Sequence, residues 1–253
     1  MERDLKHPQL WQITDLEETA STNGDLKILA QRGAPHGRVI LAKRQTAGRG
    51  RLGRSFFSPD GTGLYLSVLL RPDCTAEDCG RITQTAAVAA CRAAQKFCKD
   101  EVQIKWVNDL YRNGKKICGI LTEGETDPVT GKLSYAVVGA GFNLCPPKEG
   151  FPAEIREIAG TLQDSFDPNL RLRLAAEFLN ELETLLLRPF SEILDEYRKK
   201  SLLTGKRVFS PTNAFHGTAT VLGIDEDGGL ILRLQDGTLR TLTYGEVSVR
   251  VCD

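Results

Sequence analysis

Short apolar runs and period-two alternation mark strands along this chain, and apolar stripes at helical spacing mark helices. Extended segments are predicted at 38–44, around Val39-Ile40-Leu41-Ala42, and at 64–70, with a weaker one at 10–16. Val102-Gln103-Ile104-Lys105-Trp106 alternates, Asn113-Gly114 is a two-residue hairpin signal, and strands at 115–124 and 133–139 follow. Residues 102–144 therefore read as an antiparallel meander. Helical stripes cover 24–32, 77–99, 171–187 and 190–200. The first follows Ser21-Thr22-Asn23 and ends at Gly33 with Pro35 beyond, the caps a helix of that length calls for. One of those three polar residues suffices as a cap, which frees the others for a cleft. On the second stripe Cys91 and Cys98, seven residues apart, share an alanine-rich face and read as core. After Thr204-Gly205, short strands near 207–209, 215–224, 230–234, 239–242 and 247–251 alternate with glycine turns. That pattern suggests a small barrel of SH3 type. The expected architecture is α+β. A mixed, mostly antiparallel sheet with helices occupies residues 1–202, and a C-terminal SH3-like β-barrel occupies 203–253. A barrel of about fifty residues is near the lower size for independent folding, so it should lean on the larger unit.

Composition narrows the function. The 253 residues carry 33 basic and 33 acidic side chains, so no global field recruits nucleic acid, and any anion site must be local. Seven cysteines without a CxxC pair, and three scattered histidines, suggest no zinc site. Free, mostly buried thiols in a reducing compartment are the expectation. The first residues lack the apolar core of a signal peptide, and no apolar run approaches a membrane span. A soluble, cytoplasmic protein is expected.

The chemistry concentrates in Gln45-Thr46-Ala47-Gly48-Arg49-Gly50-Arg51-Leu52-Gly53-Arg54. Glycines allow close backbone approach, and arginines supply planar cationic forks, so such a loop suits closure over an anion. Gly48-x-Gly50-x-x-Gly53 also fits the dinucleotide fingerprint, with Asp73 near the place of its ribose-binding acid. The fingerprint needs a helix after its last glycine, and Pro59, Gly61 and Gly63 leave no room for one. That reading is set aside. Other special residues fall at strand ends: Lys105 with Asn108-Asp109, Lys115-Lys116 with Gly119, and Gly139 with Asn143. A carboxylate among lysines and arginine forks is what a Mg-nucleotide site requires.

Taken in this order, these motifs make the sequence resemble the biotin protein ligases (biotin–[acetyl-CoA-carboxylase] ligases) in their short form without a DNA-binding domain. The match runs from Ser-Thr-Asn at 21–23 through Gly-Arg-Gly-Arg-x-Gly-Arg, Lys-Trp-x-Asn-Asp and Lys-x-x-Gly-Ile-Leu-x-Glu to Gly-Ala-Gly-x-Asn and the barrel. The resemblance implies a class II synthetase-like catalytic fold and a two-step reaction. Biotin and Mg·ATP give biotinyl-5′-AMP, and the biotinyl group then passes to one lysine of a biotin carboxyl carrier domain. It also implies the roles. Ser21, Thr22, Asn23, Gln45, Gly48, Arg49, Lys116, Gly119 and Gly139 would bind biotin or border its pocket. Arg49, Arg51, Arg54, Phe56, Lys105, Asn108, Lys116 and Asn143 would serve the nucleotide. Lys116, Arg49 and Asp109 would be catalytic, with Asp109 also the Mg²⁺ ligand. No DNA or membrane partner is expected, and a homodimer is left open.

Three departures from the family pattern stand out. Val107 replaces the usual proline, Phe56-Phe57 replaces the usual tryptophan, and Lys115 sits beside Lys116; the Lys-x-x-Gly spacing to Gly119 selects Lys116. Cys118 reads as a packed small residue rather than a reactive thiol. Two alternatives remain from the residues: a lipoate ligase of the same fold, and an RNA-binding module. Zero net charge and 7% aromatic residues weigh against the second.

Overall fold

Strand β1 (Gln12–Thr19) leads into helix α1 (Thr22–Gln31), and the chain returns in β2 (Arg38–Gln45), parallel to β1. The structure, a computed structural model, describes residues 1–212, 214–243 and 249–252. Every later pairing in the sheet is antiparallel. It is made by β3 (Gly63–Leu70) and, after helix α2 (Cys79–Gln95), by β4 (Val102–Lys105), β5 (Asp109–Arg112), β6 (Lys115–Thr126) and β7 (Leu133–Asn143). The strand order is β1-β2-β3-β7-β6-β5-β4, so the meander of residues 102–144 forms as expected and docks through β7 on β3. Asn113 and Gly114, at φ 50 and 73, supply the left-handed pair that a tight β5–β6 turn needs.

Helix α1 covers one face, packing Leu26 and Ala30 on Ile40, Leu69, Tyr135 and Val137. Helix α2 lays its alanines on the other face, joined there by α3 (Leu170–Leu186) and α4 (Phe190–Lys199). Strand β3, covered on both sides, is buried at all eight positions. That is why its sequence is a near-continuous apolar run rather than an alternating one.

A second sheet follows, of β8 (Arg207–Phe209), β9 (Thr218–Ile224), β10 (Leu230–Leu234), β11 (Leu239–Leu242) and β12 (Arg250–Val251), in the order β11-β10-β9-β8-β12. Val208, Val221, Leu230 and Leu232 fill its interior and are continuous with the main core. No helix among the described residues is long and apolar enough to cross a membrane.

Several expectations shift. Parallel pairing with β2 carries β1 to Thr19, past the weak signal at 10–16. A capping box of Thr75 and Asp78 opens a 3-10 turn ahead of α2, and the helix ends at Gln95. Cys98 therefore lies beyond it, its Sγ 3.6 Å from the Ala94 carbonyl, and does not share the face of buried Cys91. Of the seven free thiols three are buried and four are half-buried. Phe215 precedes β9 rather than joining it, and Val247 and Ser248 of the expected last strand lie outside the described residues.

Candidate active site

Strand β2 and the start of α1 bring a set of uncharged polar side chains onto the middle of the sheet. Ser21 is the helix cap, its Oγ accepting from Gly24 N at 3.4 Å, which turns Thr22 and Asn23 inward. Gln45 Oε1 accepts from Thr22 N at 2.9 Å and from Thr22 Oγ1 at 3.1 Å. The hydroxyls of Thr22 and Ser67 are 2.7 Å apart, and Ser67 donates to Asn23 Oδ1 at 2.6 Å. Asn23 Nδ2 donates to Glu123 Oε2 at 3.0 Å. These groups are 0–5% exposed at Thr22, Asn23 and Ser67, and each hydrogen bond fixes the rotamer of the next. Gly139 makes the approach of Asn23 feasible: a Cβ there would stand 2.2 Å from Asn23 Oδ1.

The arginine loop leaves β2 and folds back as a hairpin. Gln45 N donates to the Ser58 carbonyl at 3.1 Å, Phe56 N to Gly48 O at 2.8 Å, and Gly50 N to Arg54 O at 2.7 Å. Its tip takes two successive left-handed residues, Leu52 (φ 58) and Gly53 (φ 69), the first a strained conformation for leucine. The fold-back places the Phe56 ring over Gly141 and Gly119, where added Cβ atoms would come within 2.6 and 3.2 Å of it. Arg49, Arg51 and Arg54 line a cavity of about 300 Å³ with Leu121 and Glu123. Arg49 is 3.4 Å from Glu123, which also takes Lys27 at 3.0 Å. Burial acts upward on the Glu123 carboxyl, but its bonds from Asn23 and Lys27 and the nearby charges outweigh that and hold it low.

Across the cavity lies the β4–β5 connection. Lys116 Nζ is 2.6 Å from Asp109 Oδ1. Arg51 Nη1 donates to Asn108 Oδ1 at 3.0 Å, and Asn108 Nδ2 to the Ile120 carbonyl at 2.6 Å, so the loop and this connection are tied together. Lys105 lies over the Tyr111 ring, 5.3 Å from its centroid. Burial pushes the Lys105 ammonium below the ordinary lysine value; Asp109 opposes this, and Lys116, Arg250 and Arg54 reinforce it. Burial also raises Tyr111 to about 12. The backbone of Lys116 is pinned by the segment after β7: its N–H donates to Ile158 O at 2.7 Å and its carbonyl accepts from Gly160 N at 2.8 Å. Lys115 consequently points the other way, donating to the Glu157 carbonyl.

The structure thus gathers Thr22, Asn23, Gln45, Gly48, Arg49, Arg51, Arg54, Phe56, Lys105, Asn108, Asp109, Lys116, Gly119 and Gly139 around one cleft. Ser21 and Asn143 stand apart. The first caps α1, and the amide nitrogen of Asn143 is committed to Gly160 O at 2.9 Å and Lys116 O at 3.4 Å. Asp73 pairs with Lys132 at the surface, far in function from any ribose. Cys118 is fully buried, and desolvation lifts its thiol well above its ordinary range, as a packed residue requires. The sequence motifs left out Ser67, and they included Gly141 and Glu123 without assigning either a role. Ser67 had a signal, the one small polar side chain in the apolar run 64–70.

The chain is similar to known proteins. The family model "Biotin/lipoate A/B protein ligase family" matches residues 16–143, and "Biotin protein ligase C terminal domain" matches 211–250. The chain is 32% identical to the bifunctional ligase/repressor BirA of Bacillus spizizenii, over 86% of this chain and 68% of that protein. It is also 32% identical to the biotin--[acetyl-CoA-carboxylase] ligase of Mycobacterium tuberculosis, over 93% of this chain and 88% of that one. Among solved structures, the biotin protein ligase from Aquifex aeolicus in complex with biotin and ATP superposes with a TM-score of 0.77 at 27% identity, covering 95% of this chain and 99% of that one. The fold and these relatives define a ligase. The chain belongs to the biotin/lipoate A/B protein ligase family.

Proposed function

We propose that this protein is an ATP-dependent biotin–protein ligase, in which residues 1–202 carry the chemistry and 203–253 form the barrel. The observation that carries the reading is the junction at Lys116. Its ammonium is 2.6 Å from Asp109 and lies against Gly119, where an added Cβ would come within 3.1 Å of Nζ and 3.2 Å of the Phe56 ring folded back by the arginine loop; there a carboxylate and an α-phosphate would meet. A biotin carboxylate oxygen attacks the α-phosphorus of ATP, the bond to pyrophosphate breaks, and biotinyl-5′-AMP forms. The ε-amine of a carrier-domain lysine then attacks the acyl carbon, expels AMP and loses a proton.

The residues divide accordingly. Thr22, Asn23 and Gln45 offer the donors and acceptors that a ureido ring would use, between the backbones of Gly48, Gly119 and Gly139, with Ser21 ordering the helix start. Lys116 offsets the repulsion between the two anions, and Arg49, Arg51 and Arg54 enclose the phosphates. Lys105 and Asn108 flank the nucleotide, Phe56 offers a ring to the adenine, and Asn143 holds Lys116 in register. Asp109, paired with Lys116 in the free protein, would receive the acceptor amine in the second step. No cluster of three or more His, Cys, Asp or Glu that could hold a metal occurs among the described residues. The protein would therefore offer a Mg²⁺ one carboxylate, Asp109, with the other oxygen ligands coming from the ATP phosphates, whose charge the ion would offset. The protein acts in the cytoplasm on a biotin carboxyl carrier domain, without DNA, and a homodimer is compatible with it.

The test is to incubate the protein with Mg·ATP, an apo carrier domain and either biotin or lipoate, and to weigh the carrier by mass spectrometry. A biotin-sized gain on one lysine supports the reading. A lipoyl gain reassigns the pocket, and no gain with either removes the proposal.

A further inference from the structure

The β9–β10 turn of the barrel reaches into the larger unit. Asp225 Oδ1 closes the turn on itself by accepting from Asp227 N at 3.0 Å and Gly229 N at 2.7 Å, and the Gly228 carbonyl faces inward. That one oxygen accepts two buried hydrogen bonds, from Gln84 Nε2 on α2 at 2.8 Å and from the indole Nε1 of Trp106 at 3.0 Å. Gln84 is fully buried and Trp106 nearly so. Trp106 begins the connection that carries Asn108 and Asp109, and each residue of it is held by a different part of the molecule. Gly228 of the barrel holds Trp106. Tyr197 of α4 donates to the Val107 carbonyl at 3.0 Å. Ile120 and Arg51 hold Asn108, and Lys116 holds Asp109.

We infer that the Gly228 carbonyl, with Gln84 and Trp106, positions the Asn108–Asp109 end of the site for the adenylation step, so that the barrel is a structural part of the nucleotide end. The inference rests on the ligase reading above. A buried carbonyl with both lone pairs engaged is a stiff reference point, because releasing either donor leaves it unsatisfied in the interior. A shift of the indole moves Asn108 and Asp109 relative to Lys116, and misplacement on the order of 1 Å costs about 10²-fold in rate. The biotin end is built from α1, β2, β3, β6 and β7, and none of its described side chains named above bonds to this turn. Loss of the contact should therefore fall on kcat and spare the KM for biotin.

The experiment measures biotin-dependent exchange of labelled pyrophosphate into ATP with the whole chain, together with thermal stability. Gly228→Ala acts from the barrel side: its φ is 85, and the new Cβ would lie 2.1 Å from Gln84 Oε1, so the turn must withdraw. Trp106→Phe removes the donor and keeps an aromatic ring. Asp227→Asn weakens the exposed pair of the same turn with Arg81 and leaves the Gly228 carbonyl in place. Gly228→Ala and Trp106→Phe should each lower kcat about tenfold or more, with the biotin KM within about twofold, and Asp227→Asn should change neither. Unchanged kcat in the first two would overturn the inference. So would a biotin KM that rises in step with a falling Tm, or an equal loss in Asp227→Asn. If the unaltered protein shows no biotin-dependent exchange, the ligase reading itself falls and takes this inference with it.

Discussion

The two ends of the cleft are built on opposite principles. At the end proposed for biotin, buried Thr22, Asn23 and Ser67 and half-buried Gln45 sit on regular elements, and each side chain is held by the next. At the end proposed for the phosphates the charges ride on a loop, Arg49 is about half exposed, and the tip contains a leucine in a left-handed conformation. A neutral ring carries little charge for a protein to grip, so its recognition depends on donors and acceptors fixed beforehand. A reactive acyl phosphate is recognised by charge, and the harder task is keeping water and wrong nucleophiles from it after it forms. The first end needs rigidity and the second needs closure.

The sharpest way to test that division is at the junction. Lys116→Ala should lower biotin-dependent pyrophosphate exchange by roughly 10²–10³-fold, the cost of removing one charge-stabilising donor. Lys115→Ala should stay near normal, since its ammonium is turned to Glu157. Loss in Lys115→Ala with survival of Lys116→Ala would show that the cationic bridge is the other lysine. At the rigid end, Gly139→Ala should weaken biotin binding by roughly 10–100-fold, the equivalent of about 1–3 kcal/mol of overpacking. An unchanged Kd by titration calorimetry would mean that Asn23 gives way and the pocket is pliant after all.

At the closing end, Arg49→Ala should release the adenylate on the order of tenfold faster, as loss of one hydrogen bond to a charged group predicts. The readout is biotin on bystander proteins; tight retention of the adenylate would remove the closure idea. The smallest effect concerns stability. Burial holds Lys105 below the ordinary lysine value, so its charge opposes folding at neutral pH. That penalty is complete below its folded pKa and disappears as pH rises from there toward the unfolded value of about 10.4. Lys105→Met should thus raise the urea midpoint at pH 7, with a gain that shrinks as pH rises toward 10, while activity falls. A constant or negative difference across that range would show that Lys105 is not strained by its surroundings.

Much of this was legible before the structure. Hydrophobic period and turn chemistry located the strands, because β3 is buried on both faces and the Asn113-Gly114 turn has a local code. The Lys-x-x-Gly spacing picked the lysine that faces Asp109. What sequence could not display were groups whose roles depend on distant neighbours. Ser67 looks like a tolerated hydroxyl in a core strand until Thr22 and Asn23 arrive from α1. Asn143 carries the composition of a ligand contact, and its amide nitrogen also binds Gly160 and Lys116 because the irregular segment after β7 returns to the edge of β6. Helix boundaries slipped for a simpler reason: α2 stops at Gln95, four residues inside its apolar stripe, where neither proline nor glycine marks the end.

The hairpin base of the arginine loop has a wider consequence. Gln45 and Ser58 join the excursion to the sheet through one backbone bond, while Gly48–Phe56 and Gly50–Arg54 close it from within. Such an insert can change length or composition at its tip without re-registering β2 against β3, since each doubling of a loop adds only about 0.6 kcal/mol of closure cost. How long the activated acyl group is detained, and which acid was chosen in the first place, are therefore written in separate stretches of chain. Mutation can adjust the one while inheriting the other intact.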